Sequence, residues 1–268
     1  GSGSVKTEIL KILRGTDGYV SGQELCEELG VSRTAVWKAV NALKEAGYEI
    51  ESVRNRGYML KSCPDVLLSE EIKSVLDTKW FANKILYFDK IDSTNSEIKR
   101  QAEQGASEGT LAIAEYQSAG RGRRGRSWDS PAGSGIWMSF LIKPDIRPEH
   151  APMITLLAAM ACASAVREVT GLGAMIKWPN DIVIGGRKIT GILTEMSTEM
   201  ETISYVVVGI GINANMTEFP EDIRKTATSL AIECKGPVSR SLIVASFGHY
   251  FEQYYEIFIN DLNMSSLK

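Results

Sequence analysis

The chain has 268 residues, of which 44% are hydrophobic and 24% charged, and its net charge is −3. That size supports two domains or one large one, and that balance excludes a disordered or fibrous chain; no apolar run approaches the roughly 20 residues of a membrane span, and no hydrophobic segment of a signal peptide opens the sequence. With two histidines (His150, His249) and four scattered cysteines lacking a C-x-x-C pair, a histidine triad, a His-rich metal centre, a zinc site and a disulfide framework are all disfavoured, and a reducing cytoplasm fits.

Gly1-Ser2-Gly3-Ser4 reads as a linker remnant and is set aside. Val5 to Leu13 has helical apolar spacing, closed by Gly15, Asp17 and Gly18. Ser21 is placed to cap a second helix, Gly22 to Leu29, and Ser32 to cap a third, Arg33 to Ala46, after the turn Gly30-Val31-Ser32. Two helices joined by a short glycine turn form a helix-turn-helix pattern. The third helix carries Val36, Val40 and Leu43 on one face, with Arg33, Thr34, Trp37, Lys38 and Asn41 elsewhere. Glu49 to Leu60 reads as a hairpin turning at Asn55-Arg56-Gly57, with Arg54 and Arg56 at its tip. A winged helix-turn-helix over 5–63 is therefore expected. Ser32, Arg33, Thr34, Trp37 and Lys38 would meet the major groove, and Arg54 and Arg56 the phosphates. Nine Lys and Arg against eight Asp and Glu over residues 5–62 make DNA affinity a matter of placement, not bulk charge. The competing reading is a three-helix packing module without DNA.

A second domain is expected over 66–268. Leu67 to Leu76 reads as a helix capped by Ser69, Ile85 to Phe88 as a strand, and Ser96 to Glu103 as a helix. Thr94 with Glu97 fits a capping box; alternatively, Ser93 and Thr94 offer hydroxyls to a ligand edge at a strand end. Leu111 to Tyr116 is a strand pattern that runs into Gly120-Arg121-Gly122-Arg123-Arg124-Gly125-Arg126 and then Trp128. Arginines alternating with glycines suit neither a helix nor a central strand. The expected structure is a loop of guanidinium and N–H groups closing on an anion, beside a ring for stacking. A dinucleotide fingerprint is rejected because no helix starts after the glycines. A nucleic-acid patch is disfavoured by the flanking strands.

Gly135 to Ile142 is a further strand and Met153 to Val169 a long small-residue helix packed on a sheet. Ala174 to Ile184 reads as two short strands, Gly185-Gly186 as a hairpin turn and Arg187 to Glu195 as a strand. Ser204 to Asn213 is thinned by Gly209 and Gly211, which suggests close approach of a ligand. Lys177 and Lys188 in near-apolar strands either snorkel at an edge or serve a site. Asp181 is a turn residue or a site residue, and Trp178 is core or site. Ser239 to Ile259 is a final helix.

Taken together, DSTN (92–95), GRGRRGRSW (120–128), KWPND (177–181), RKITGIL (187–193) and GIGIN (209–213) resemble the motifs of biotin–protein ligases. With the N-terminal module in front, the chain is similar to the bifunctional ligase/repressor branch over residues 5 to about 260. The resemblance implies an α+β protein, the winged helix-turn-helix followed by a mixed α/β catalytic domain resembling class II aminoacyl-tRNA synthetases. It implies formation of biotinyl-5′-AMP from biotin and ATP with Mg2+, transfer of biotin to a lysine of a biotin carboxyl carrier domain, and biotinyl-AMP as corepressor of a cytoplasmic homodimer that binds operator DNA.

The same resemblance distributes roles. Ser93, Thr94, Asn95 and Gln117 would hold the biotin ureido ring, with Gly120, Arg121, Gly191 and Ile192 alongside and Trp137 as an aromatic wall. Arg123 would retain the adenylate, and Arg126 and Lys188 would face the phosphate and acyl oxygens. Lys177, Asn180 and Asp181 would lie near ATP, with Asp181 toward its magnesium, and Trp128 and Asn213 would border the adenine. The chain stops before the small C-terminal domain of the family, which leaves a biotin- or adenylate-sensing regulator without turnover as the alternative.

Overall fold

The computed structural model describes residues 2–120 and 132–265, which divide into two compact units, Gly1–Val75 and Leu76–Lys268.

In the first unit, helices α1 (Ser2–Arg14), α2 (Gly22–Leu29) and α3 (Arg33–Glu45) precede a hairpin of β1 (Glu49–Val53) and β2 (Gly57–Ser62). Both expected caps form: Ser21 Oγ accepts the Glu24 N–H at 3.0 Å and Ser32 Oγ the Ala35 N–H at 3.1 Å. Apolar spacing then turns Val36, Ala39, Val40 and Leu43 of α3 onto Ile9, Leu10 and Leu13 of α1 and Leu25 of α2. Each buried Val, Leu or Ile among them stabilises the unit by about 1.5–3 kcal/mol. The hairpin tip needs glycine. Gly57 has φ 112°, and a Cβ there would overlap the Val20 carbonyl, which pairs with Tyr58.

Helix α4 (Ser69–Val75) starts at Ser69 itself, so Ser69 is its first residue instead of its cap. It packs on α1 through a buried polar clasp. The Arg14 Nη2 group donates to both Glu71 oxygens, at 2.8 and 2.9 Å, and Tyr48 Oη donates to Glu71 Oε1 at 2.6 Å. Arg14 also donates to Ser74 Oγ.

The second unit is built on one seven-stranded sheet in the order β3-β4-β5-β9-β8-β7-β6. Its strands are β3 (Ile85–Ile91), β4 (Leu111–Gln117), β5 (Gly135–Ile142), β6 (Met175–Lys177), β7 (Asp181–Ile184), β8 (Arg187–Glu199) and β9 (Thr202–Asn213). The pair β3–β4 is parallel, with α5 (Thr94–Glu103) as its crossover; every other pair is antiparallel. Period-two alternation divides the sheet into two faces. One face is covered by α6 (Pro152–Thr170) and α8 (Arg240–Ser265), with Phe81, Phe140, Phe247 and Phe251 meeting at centroid distances of 4.8–5.8 Å. The Glu252 carboxylate of α8 accepts the N–H groups of Lys79, Trp80 and Phe81, which pins the loop before β3. By length and apolarity α6 would pass for a membrane span; its buried small residues against α8 and β8 account for that composition. The opposite face is covered at one end by α5, whose Ile98 packs on Ala112, Leu141 and Val207.

A candidate ligand site on the α5 face of the sheet

The α5 face carries, strand by strand, Trp137 and Ser139 of β5, Gly209 and Gly211 of β9, and Gly191 and Glu195 of β8, brought level by the pairs Trp137↔Gly211, Ser139↔Gly209 and Gly191↔Gly211. The two glycines of β9 clear room, but for the protein's own side chains. A Cβ on Gly209 would overlap Asn95 Oδ1, and one on Gly211 would lie 2.9 Å from the Trp137 ring. The expectation that these glycines mark ligand approach is corrected to that extent: they seat the Trp137 wall and the Asn95 amide.

Helix α5 enters this face at its N-terminus. The cap is Ser93, whose Oγ accepts the Ser96 N–H at 3.3 Å; Thr94 is not the capping residue expected from Thr94 and Glu97. A capping hydroxyl that accepts from the backbone keeps its proton to donate. Thr94, freed of the cap, reaches Gln117 Oε1 at 3.0 Å and Ser139 Oγ at 2.7 Å, while its N–H donates to the same Gln117 oxygen at 2.8 Å. Ser139 donates to Asn95 Oδ1, and Asn95 Nδ2 donates to Glu195 Oε1 at 2.9 Å. Gly120 lies beside the Gln117 amide, where a Cβ would come within 3.1 Å of Nε2.

Lys188 reaches the same face through a bulge. Strict alternation back from Gly191 would turn Lys188 toward α6, along with Thr190, which contacts Cys162, and Thr194, which contacts Thr155. Consecutive residues Ile182 and Val183 instead pair with Thr190 and Lys188, leaving Ile189 as the extra residue. Such an insertion re-aims the next side chain. The ammonium therefore sits 3.1 Å from where a Gly191 Cβ would stand and 3.3 Å from Asp181 Oδ1. The Lys188–Asp181 contact is an ion pair by distance that lacks hydrogen-bond geometry, and among the described residues neither Asp181 Oδ1 nor Asn180 Oδ1, both buried, has a hydrogen-bond partner. The Asn180 Nδ2 group donates to the Ile192 carbonyl at 2.9 Å, and Asn213 Nδ2 to the Thr228 carbonyl at 3.2 Å.

The face thus brings together Ser93, Thr94, Asn95, Gln117, Trp137, Lys188, Gly191 and, at its margin, Asp181 and Asn213. Ile192 does not join them: it lies between Thr190 and Thr194 in alternation, so its side chain is buried toward α6. Lys177 is exposed on the edge strand β6, paired in register with Asp181. Trp178 is 69% exposed and is not core. Arg121, Arg123, Arg124, Arg126 and Trp128, and with them the loop expectation and the rejected dinucleotide fingerprint, lie outside the described residues. Sequence reasoning missed Ser139, Glu195 and Lys99, and also Arg240, a fully buried guanidinium that joins Glu115 Oε2 at 2.9 Å to the Gly135 carbonyl at 2.9 Å. A serine inside the apolar run 135–142 was the one available signal among them.

In the first unit, Trp37 is 58% exposed on α3, beside exposed Arg33, Thr34 and Lys38. Arg33 Nη2 lies 3.3 Å from Gln23 Oε1, and Arg56 stacks 5.7 Å over the Tyr19 ring, whose hydroxyl donates to Glu51 at 2.9 Å. Arg54 is exposed at the hairpin tip.

Comparison with known proteins places both units. Residues 87–213 match the biotin/lipoate A/B protein ligase family and residues 5–59 match an HTH domain. The protein named bifunctional ligase/repressor BirA of Bacillus subtilis is 41% identical over 239 residues, 88% of this chain and 74% of that protein. Its namesake in Salmonella typhimurium is 31% identical over 90% of this chain and 73% of that protein. Among solved structures, the biotin protein ligase of Aquifex aeolicus in complex with biotin and ATP superposes with a TM-score of 0.56 at 29% identity, over 66% of this chain and 72% of that one.

Proposed function

The chain belongs to the bifunctional biotin–protein ligase/repressor family, and from that premise we propose that the α5 face of its sheet is where biotin and ATP are joined. The protein is a biotin–protein ligase and a biotin-dependent transcriptional repressor. A carboxylate oxygen of biotin attacks the α-phosphorus of ATP, pyrophosphate leaves, and the mixed anhydride biotinyl-5′-AMP forms. The amine of a carrier-protein lysine then attacks the acyl carbon and AMP leaves.

The observation that carries the site assignment is the complementarity at the start of α5. Ser93 keeps a proton to donate and Thr94 offers oxygen lone pairs, side by side, which suits the C=O and N–H edge of a cyclic urea. Trp137, laid flat over glycines, supplies the apolar wall for the rest of the biotin bicycle. Lys188, re-aimed by its bulge, faces the phosphate and acyl oxygens where negative charge grows in both steps. Arg121, Arg123, Arg126 and Trp128 are proposed to close over the adenylate, with Asn180, Lys177 and Asn213 around the nucleotide; excluding water protects the anhydride. Magnesium enters on ATP. Such an ion takes one or two protein carboxylates beside the phosphates, and the Asp181 oxygen, without a hydrogen-bond partner among the described residues, fits that need. Among the described residues no group of three His, Cys, Asp or Glu side chains would hold a metal by itself.

On the regulatory side, α3 (Ser32, Arg33, Thr34, Trp37, Lys38) is proposed to enter the major groove of operator DNA, with Arg54 and Arg56 on phosphates. Biotinyl-AMP shifts a monomer–homodimer equilibrium of this cytoplasmic protein toward the DNA-binding dimer. The test is pyrophosphate release with biotin and MgATP, for the wild type and Lys188→Ala. Wild type is expected to release pyrophosphate, and the variant to lose about 10²-fold or more in kcat. No release by the wild type would leave only a biotin-sensing regulator.

A further inference from the structure

We propose that Ser139, Asn95 and Glu195 form a relay that fixes the Thr94 hydroxyl as a pure hydrogen-bond acceptor toward the ligand, and so select a cyclic urea over isosteres that lack its N–H. The inference rests on biotin being held at Thr94.

The argument is a proton count along one chain of contacts. Lys99 pairs with the Glu195 carboxylate, which therefore has only oxygens to offer Asn95. Both protons of the Asn95 amide meet acceptors, Glu195 Oε1 at 2.9 Å and the Leu193 carbonyl at 3.4 Å. Oδ1 must then be the atom that faces Ser139, and Ser139 must give it its only proton. The oxygens of Thr94 and Ser139 are 2.7 Å apart, a distance that requires a proton between them. Ser139 has none left, so Thr94 supplies it. Gln117 Oε1, which accepts the Thr94 N–H at 2.8 Å, has a second lone pair and lies 3.0 Å from the Thr94 hydroxyl, so it is a second and longer inward acceptor for the same proton. With its proton committed inward, Thr94 presents lone pairs alone. A ligand N–H is welcomed there, and a ligand oxygen meets oxygen.

Glu195 lies 100 residues from Asn95 in sequence, and Ser139 lies 45 from Thr94, so the relay exists only through the register of β5, β8 and β9. Gly209 is what admits it, since any side chain there would occupy the place of Asn95 Oδ1.

The experiment titrates biotin and its two cyclic carbamate isosteres, each with oxygen in place of one ureido N–H, into the whole protein by calorimetry. Wild type is expected to bind biotin and to reject one isomer by about 10–100-fold, the range set by one unpaired polar contact. Ser139→Ala removes the shorter of the two inward acceptors and leaves the Thr94 proton only Gln117 Oε1 at 3.0 Å, and is expected to reduce that preference severalfold. Glu195→Gln, which removes the charge that orients Asn95, is expected to reduce it by less, and to change nothing further once Ser139 is alanine. A preference untouched by Ser139→Ala, or additive effects of the two substitutions, would overturn the relay even if biotin binds. Failure of the wild type to bind biotin would instead overturn the site on which it rests. Thermal melts of each variant separate loss of selectivity from loss of fold, and Ser139→Ala, the smaller change, decides the matter if Glu195→Gln does not fold.

Discussion

A Cβ on Gly209 would overlap the Asn95 amide, and the backbone there has neighbours on both sides of the sheet, so neither partner can move far. Gly209→Ala is expected to cost about 1–3 kcal/mol, the range for overpacking a filled interior. It should also displace Asn95 and weaken biotin binding; urea denaturation and calorimetry measure the two effects. An unchanged midpoint with unchanged affinity would show that Asn95 is not locked where it lies. Cys162 shows the opposite use of a tight interior. Burial pushes its thiol up to about 12, against the opposing effect of its contact with Thr190, so almost no thiolate exists at neutral pH. Folded protein at pH 8 is expected to leave Cys162 unlabelled by iodoacetamide while exposed Cys63 reacts, as read by peptide mass.

At the scale of elements, the turn before α5 and the clasp of α4 carry distinct charges. The Arg100 guanidinium, helped by the Ser93 N–H, holds the Asp92 carboxyl down at about 2. Because that value lies below the ordinary carboxylate pKa of about 3.9, the contribution is fully present above pH 4 and is lost as pH falls through about 2. The pair is exposed, so its worth stays below about 1 kcal/mol. Asp92→Asn is expected to flatten the stability loss between pH 4 and 2, as measured by chemical denaturation across that range; an unaltered slope would mean Asp92 titrates normally. In α4 the balance differs, because Glu71 is 1% exposed and its carboxylate depends on Arg14 and Tyr48. Both burial and that carboxylate raise the Tyr48 hydroxyl above its ordinary pKa. Removing one partner of a buried pair costs about 3–5 kcal/mol, and the part-exposed Arg14 puts Arg14→Ala near the low end. A denaturation midpoint within error of wild type would rule the clasp out as a stabilising element.

For the whole molecule, the proposed assignments put ligation and DNA binding on different residues, which respond to separate perturbations. Arg54→Ala is expected to lower the slope of log K against log salt for operator DNA by about one, the value for one phosphate contact, while leaving pyrophosphate release unchanged. Filter binding at several salt concentrations measures the slope, and an unchanged slope would take Arg54 off the DNA. Lys188→Ala should do the reverse, lowering turnover about 10²-fold or more, and should reduce operator affinity only when biotin and ATP are the sole source of corepressor.

The sequence by itself determined the local features of both units. Ser21 and Ser32 cap helices because a hydroxyl at that spacing satisfies an open N–H whatever surrounds it, and the apolar period of α3 fixes which face is buried. Gly185-Gly186 turns a hairpin for the same local reason, both residues having positive φ. The motif residues were legible as a set, and so was the family they resemble. The tertiary structure alone decided which of them meet. It took the cap from Thr94 and gave it to Ser93, turned Ile192 away and Lys188 inward by one bulged residue, and linked Glu195 to Asn95 and Ser139 across three strands. Strand register and face are properties of pairing: a one-residue shift reverses every side chain of a strand, and nothing within a single strand's sequence records its partner.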